Sequence, residues 1–222
     1  MNEPLMRTMS GQITTRIRER ILTGAYAPGS QLLQDSIAAE FGVSKIPVRE
    51  ALVQLRAEGL VDIFAHRGFQ VRALTQTEFE EVFSLRLTIE PDAVAEGAKI
   101  ASVADRKVAA DALTALNDAL TANNLKDSGT LNATYHLSLA VPRLRPVTTE
   151  VLARLHILTQ RYVGIHLRPP GRTKRATKEH TVLYAAWNAK KPKEASRLIR
   201  LHIEEMRDEL AALFKAGHRR LE

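Results

Sequence analysis

Apolar residues recur at helical spacing in three short stretches of the first sixty positions. Ile13, Ile17, Ile21 and Leu22 make the first stripe, and Gly24 behind it suits a left-handed helix stop. Pro28-Gly29-Ser30 predicts a turn. From Asp35 a second helix turns Ile37, Ala38 and Phe41 inward and closes at Gly42, only about two turns later. Ser44 predicts the N-cap of a third helix, with Pro47 in its first turn, where the backbone N–H has no helical acceptor. Val48, Ala51, Leu52 and Leu55 share one face of that helix, which ends near Glu58-Gly59.

The period then shortens. Leu60-Val61-Asp62-Ile63 and Phe69-Gln70-Val71-Arg72 are β-prone runs, joined by Phe64-Ala65-His66-Arg67-Gly68, which contains a glycine for a hairpin loop. Thr75-Gln76-Thr77-Glu78 reads as a capping box, and only helical patterns follow. Six helices are expected, at about 77–102 with a bend at Pro91, 105–123, 128–140, 146–166, 174–189 and 192–216. The fold class is therefore mainly α. A winged helix-turn-helix over residues 1–74 precedes an all-helical bundle over residues 75–222.

Helix, short helix, tight turn, helix and hairpin is a layout in which the helix after the turn enters the DNA major groove and the wing reaches a neighbouring groove. With its apolar face turned to the core, the third helix leaves Ser44, Lys45, Ile46 and Arg49 outside. Ser44 and the free N–H groups of the first turn suit phosphate oxygens, while Lys45 and Arg49 reach base edges or backbone.

Composition agrees with this reading. The 222 residues carry 32 Lys and Arg against 25 Asp and Glu, a formal charge of +7 that favours a polyanionic partner. The absence of cysteine excludes disulfides, iron–sulfur clusters, zinc ribbons and a thiol nucleophile. No apolar run is long enough to span a membrane and the N-terminus lacks a secretory layout, so a cytoplasmic protein with no membrane partner is expected.

Phe41-Gly42-Val43-Ser44-Lys45-Ile46-Pro47-Val48-Arg49-Glu50-Ala51-Leu52, then Leu55 to Val61, then His66-Arg67-Gly68-Phe69-Gln70-Val71 resemble the DNA-binding domain of the GntR family of bacterial transcription regulators. The resemblance implies a DNA surface at Ser44, Lys45, Pro47, Arg49, His66, Arg67 and Gly68, and a homodimer on a palindromic double-stranded operator. Two positions depart from the usual pattern, which has Arg and Thr at Lys45 and Ile46. Lysine lacks the fork that reads guanine, and isoleucine makes only apolar contact, for instance with a thymine methyl.

Ser84 to Glu90, Asn132 to His136, Glu179-His180 and Arg197 to His202 resemble the FadR C-terminal domain type, FCD. Many such domains hold a divalent metal on one Asp and three His. The matching positions are Asn132, His136, His180 and His202. Asn132 and His136 are one helical turn apart and share a face, and His180 and His202 lie on two other expected helices. Three neutral imidazoles and an oxygen leave positions open for water or a carboxylate. Asn132 supplies a neutral carbonyl where the family has an anion, so zinc, nickel or manganese is expected to be held less tightly. His66, His156, His166 and His218 have no motif partner.

Between Val141 and Lys178 nine basic residues, Arg143 and Arg168 among them, stand against the single acid Glu150. Most of such a run is solvated. Arg86 and Arg161 are the candidates for turning inward to the carboxylate of a small-molecule effector. The leading expectation is a metabolite-responsive regulator, a repressor of a catabolic operon and not an enzyme. The alternatives are a metal-dependent hydrolase on the His cluster, with Glu90, Glu96 or Glu179 as base, and a DNA-binding architectural protein without a ligand.

Overall fold

The structure is a computed structural model that describes residues 8–65, 67–73, 75–141, 145–167 and 170–215. His66, Arg143, Arg168 and His218 lie outside the described residues. The chain divides into two compact units that part between residues 74 and 75.

The first unit runs α1 (Met9–Leu22), β1 (Gln31–Leu32), α2 (Gln34–Phe41), α3 (Lys45–Ala57), β2 (Val61–Phe64) and β3 (Gly68–Val71). Thr8 caps α1 by accepting the Gly11 N–H at 3.1 Å. Ile13, Ile17 and Ile21 of α1 are buried where α1 packs on α3, whose Val48, Ala51, Leu52 and Leu55 are fully buried. Each large side chain in such a core contributes roughly 1.5–3 kcal/mol relative to exposure. α2 stops at Gly42, whose φ of 65° and ψ of 36° give it the left-handed cap a Cβ would strain. Only Gly42, Val43 and Ser44 then separate α2 from α3.

The wing has three strands where the sequence predicts two. β1 pairs with β3, Leu32 opposite Phe69, and β3 pairs with β2, Ile63 opposite Phe69, all antiparallel in the order β1-β3-β2. A two-residue strand is too short to show alternation, which is why β1 leaves no trace in the pattern.

The second unit is α4 (Gln76–Ile100), α5 (Val103–Thr121), α6 (Leu125–Leu139), α7 (Pro146–Leu167), α8 (Arg172–Asn188) and α9 (Pro192–Lys215). Thr75 caps α4 by accepting the Glu78 N–H at 3.2 Å. The helix continues through Pro91, which is buried within it. Ser102 and Asp105 form a reciprocal capping box on α5. α4 packs along α9 and α7, while α5 packs on α6 and α8. A Cβ at Gly97 would overlap the Leu139 carbonyl oxygen, so only glycine lets α4 approach the end of α6 this closely. The same carbonyl accepts the indole N–H of buried Trp187 at 3.0 Å, tying α8 to that junction. Val82, Ala93, Ala140, Leu152 and Leu155 form a core cluster between α4, α7 and the end of α6. No helix among the described residues is long and apolar enough to cross a membrane.

Candidate nucleic-acid interface and metal centre

In the first unit the apolar face of α3 decides what faces outward. Ser44, Lys45, Ile46 and Arg49 are exposed and Pro47 is half-buried. Ile46 is 71% exposed. Ser44 is the N-cap of α3, yet its side chain makes no capping hydrogen bond. In the wing, Arg67 and Gly68 are exposed, and Gln31 of β1 donates its amide to the Arg67 carbonyl at 2.8 Å, fixing the loop backbone. Gly68 has a φ of 72°, which only glycine adopts freely. A bidentate pair from Arg18 to Glu58, at 2.9 and 2.6 Å, joins α1 to the end of α3.

In the second unit three helices bring histidines to one interior point. His136 of α6, His180 of α8 and His202 of α9 each place a ring nitrogen within 4.8 Å of the others. Ring centroids are 5.5 Å apart for His136 and His180, 5.3 Å for His136 and His202, and 4.7 Å for His180 and His202. Asn132, buried one turn before His136, lines with His180 and His202 a cavity of about 10 Å³, room for one water-sized body.

Two carboxylates set the ring orientations. His136 Nδ1 lies 2.7 Å from Glu90 Oε1, and His202 Nδ1 lies 2.8 Å from Glu179 Oε2. Each carboxylate holds one nitrogen and leaves Nε2 for the centre, the arrangement by which outer carboxylates orient metal-binding imidazoles. His136 Nε2 and both nitrogens of His180 are buried without a hydrogen-bond partner. Such orphaned atoms are costly unless something meets them. Burial holds the His136 imidazole down to about 3 and His180 well below the ordinary range, so both are neutral ligands at pH 7. The donor set therefore fits a divalent ion.

Glu90 itself is fully buried on α4. Burial pushes its carboxyl up, but the Arg86 guanidinium and the His156 and His136 rings outweigh that and hold it well below the usual range. Arg86 donates to it through Nε at 2.9 Å and Nη2 at 3.3 Å. Both expected effector arginines are buried, and each meets a carboxylate of the protein itself: Arg86 meets Glu90, and Arg161 meets Glu78 at 3.2 Å. His156, which has no motif partner in the sequence, places Nε2 3.3 Å from Glu90 Oε1 and forms with Glu90 and His136 a second close group. His166 likewise joins the cavity wall and lies 3.2 Å from Glu209. Burial lowers its pKa to about 4. Glu96, the third base candidate, is half-exposed and pairs with Lys99.

Outside His202, Arg175 of α8 bonds Glu179 at 2.6 Å and also pairs with Glu205 and Glu209 of α9, while Arg172 pairs with Glu209. Burial pushes the Glu179 carboxyl up, but His202 and Arg175 bring it down to about 2. Beside this network lies a groove of about 340 Å³ with apolar walls at Val182, Leu198 and Leu201 and cations at Arg175 and Lys178.

An exposed helix-turn-helix face in one unit and a helical bundle with an interior histidine cluster in the other fit one class, the transcription regulators. Residues 9–71 match the bacterial regulatory proteins of the gntR family, and residues 81–205 match the FCD domain. The chain belongs to the GntR family, in its FadR-like branch, and is a transcription regulator with a DNA-binding helix-turn-helix. It is 32% identical over 126 residues, 55% of its length, to an HTH-type transcriptional regulator from the TAR-I ttuE-ttuC' intergenic region of Agrobacterium vitis, covering 74% of that protein. It is 36% identical over 87 residues, 39% of its length, to the gluconate operon transcriptional repressor of Bacillus licheniformis, covering 35% of that repressor. The solved structure of Escherichia coli McbR/YncC superposes with a TM-score of 0.78 at 20% identity, over 96% of this chain and all of that one, which shows the shared fold. The matched share of the relative's own length is 32% for the gluconate operon transcriptional repressor of Bacillus subtilis and 94% for the HTH-type transcriptional regulator McbR of Escherichia coli. The alternative of a metal-dependent hydrolase finds no support among these relatives.

Proposed function

We propose that this regulator is a metal-containing repressor that senses a small organic acid in its helical unit and binds a palindromic operator as a homodimer. The observation that carries the reading is the convergence of His136, His180 and His202, with His136 Nε2 and both His180 nitrogens buried and unpartnered, in a unit separate from the DNA-binding one. Those three imidazoles, with Asn132 beside them, would hold zinc, nickel or manganese. A bound ion would supply Lewis acidity toward an effector's carboxylate. Arg86 acts on this site through Glu90, and Arg161 secures the start of α4 through Glu78. Direct contact of either arginine with the effector requires that its carboxylate replace the protein's own. The match to a gluconate operon repressor supports an organic-acid effector and repression.

On DNA, Lys45 and Arg49 read bases or backbone, Ile46 offers apolar contact, Ser44 and the first turn of α3 at Pro47 meet phosphate, and the wing loop at His66, Arg67 and Gly68 reaches an adjacent groove. A two-fold operator needs two such heads about one helical turn, ~34 Å, apart, which calls for a dimer. Cytoplasmic location follows from this role.

The test is elemental analysis of metal-reconstituted wild type, Asn132→Asp and His136→Ala, with operator binding titrated against organic acids and turnover measured in parallel. Partial occupancy in the wild type, a rise in Asn132→Asp and loss of both metal and effector response in His136→Ala support the reading. Equally little metal in all three would leave a polar pocket without a cofactor, and a monomer on DNA by light scattering would end the dimer.

A further inference from the structure

The first turns of α2 and α3 meet at a contact that none of the roles above uses. Lys45 Nζ lies 2.5 Å from Asp35 Oδ1, and the two side chains are 66% and 74% exposed. An ion pair this exposed contributes little to the fold. Its position is therefore more informative than its stability. In a helix-turn-helix the second helix presents its N-terminal residues to base edges while the first crosses the backbone, so a carboxylate beside Lys45 faces the DNA. There it repels phosphates and occupies a cation that would otherwise displace counterions.

A carboxylate in the major groove has one favourable kind of partner, an exocyclic amino group, above all cytosine N4. A lysine there seeks the adjacent acceptors O6 and N7 of guanine. One G·C pair presents both along a single edge. An A·T pair also offers an amino group, but its acceptors lie apart on either side of it, and thymine adds a methyl that a charged pair does not engage.

We propose that Asp35 and Lys45 act together as the reader of one G·C base pair in each operator half-site, with Asp35 a specificity-determining residue. Lys45 donates to guanine and Asp35 accepts from the cytosine amino group. Holding Lys45 off the phosphates, Asp35 exchanges general affinity for selectivity, since every sequence without an amino group at that point leaves a desolvated carboxylate unpaired.

The experiment selects binding sites from a randomised duplex library with full-length wild type, Asp35→Ala and Lys45→Ala, and measures binding to selected and random duplexes across a salt series. The wild type should prefer G·C at one position of each half-site by ~10-fold or more, and both variants should lose that preference at the same position. Asp35→Ala should also bind random DNA more tightly, with a salt dependence steeper by about one counterion. Melting curves check folding, and Asp35→Ser, which keeps a helix-starting residue, replaces Asp35→Ala if that variant unfolds. An unchanged Asp35→Ala motif, or relaxation at different base pairs in the two variants, would overturn the paired reader while leaving operator binding intact. A wild type that selects no motif would sink both.

Discussion

The two units treat charge in opposite ways. On the DNA-binding unit Lys45, Arg49 and Arg67 stand in solvent, and Lys45 meets an equally exposed Asp35. In the helical unit Arg86 and Glu90 are each 1% exposed and enclose a chain of contacts that runs through His136 towards His180. The difference fits the partners proposed for the two units. A polyanion is met at a surface, by local side chains that remain hydrated until it arrives. A small ligand or ion is met inside, where ionisable groups must be held neutral or paired before anything binds.

The largest effect expected from that contrast is in acid. His136, His156, His166 and His180 all have folded pKa values below the ordinary 6.5, at about 3 for His136 and about 4 for His166. For such groups the unfolded chain binds more protons, so their stabilising contribution is complete above pH 6.5 and is lost as pH falls through the folded value, about 4 for His166 and about 3 for His136. Each contributes a slope approaching about 1.4 kcal/mol per pH unit within that window. The described residues of the first unit contain no histidine. Segment-resolved hydrogen exchange from pH 7 to 5 should show α6 to α9 opening well before α1 to α3, and equal sensitivity of the two units would break the comparison.

Next in size is Arg86→Ala, which strands a buried carboxylate and should destabilise the helical unit by about 3–5 kcal/mol. Chemical denaturation checks this, and Arg86→Met with Glu90→Gln should recover much of the loss because neither partner is then left charged. Survival of the single variant at wild-type stability would show that water reaches Glu90. Smaller again is Arg49→Ala, expected to weaken operator binding by about 1–3 kcal/mol if it reads a base, with no change in melting temperature. Gel-shift titration tests it. Binding that is unaffected would remove this face of α3 from the interface.

The chain's order along the sequence was enough for nearly all of the secondary structure. Periodicity located every helix of the described residues to within a few positions, because an amphipathic face is a local property that each segment carries whatever it packs against. The turn at Gly42 and the outward face of α3 were equally legible, since the recognition residues proposed on that helix lie within one short run, Ser44 to Arg49. Three of the interior histidines were visible through a family resemblance and one shared helix face, but nothing in the spacing of His136, His180 and His202 shows that their rings meet.

What only packing decided is who stands next to whom. His156 and His166 looked isolated and turn out to face Glu90 and Glu209. Arg86 and Arg161 looked like hands for a ligand and hold the protein's own Glu90 and Glu78. β1, two residues long, exists only because β3 offers it an edge. A helix or a cap is encoded by neighbours within a turn, so the sequence determined it. A buried ion pair or a three-helix cluster joins residues dozens of positions apart, and its members become partners only once the core has closed around them and removed the water they would otherwise prefer.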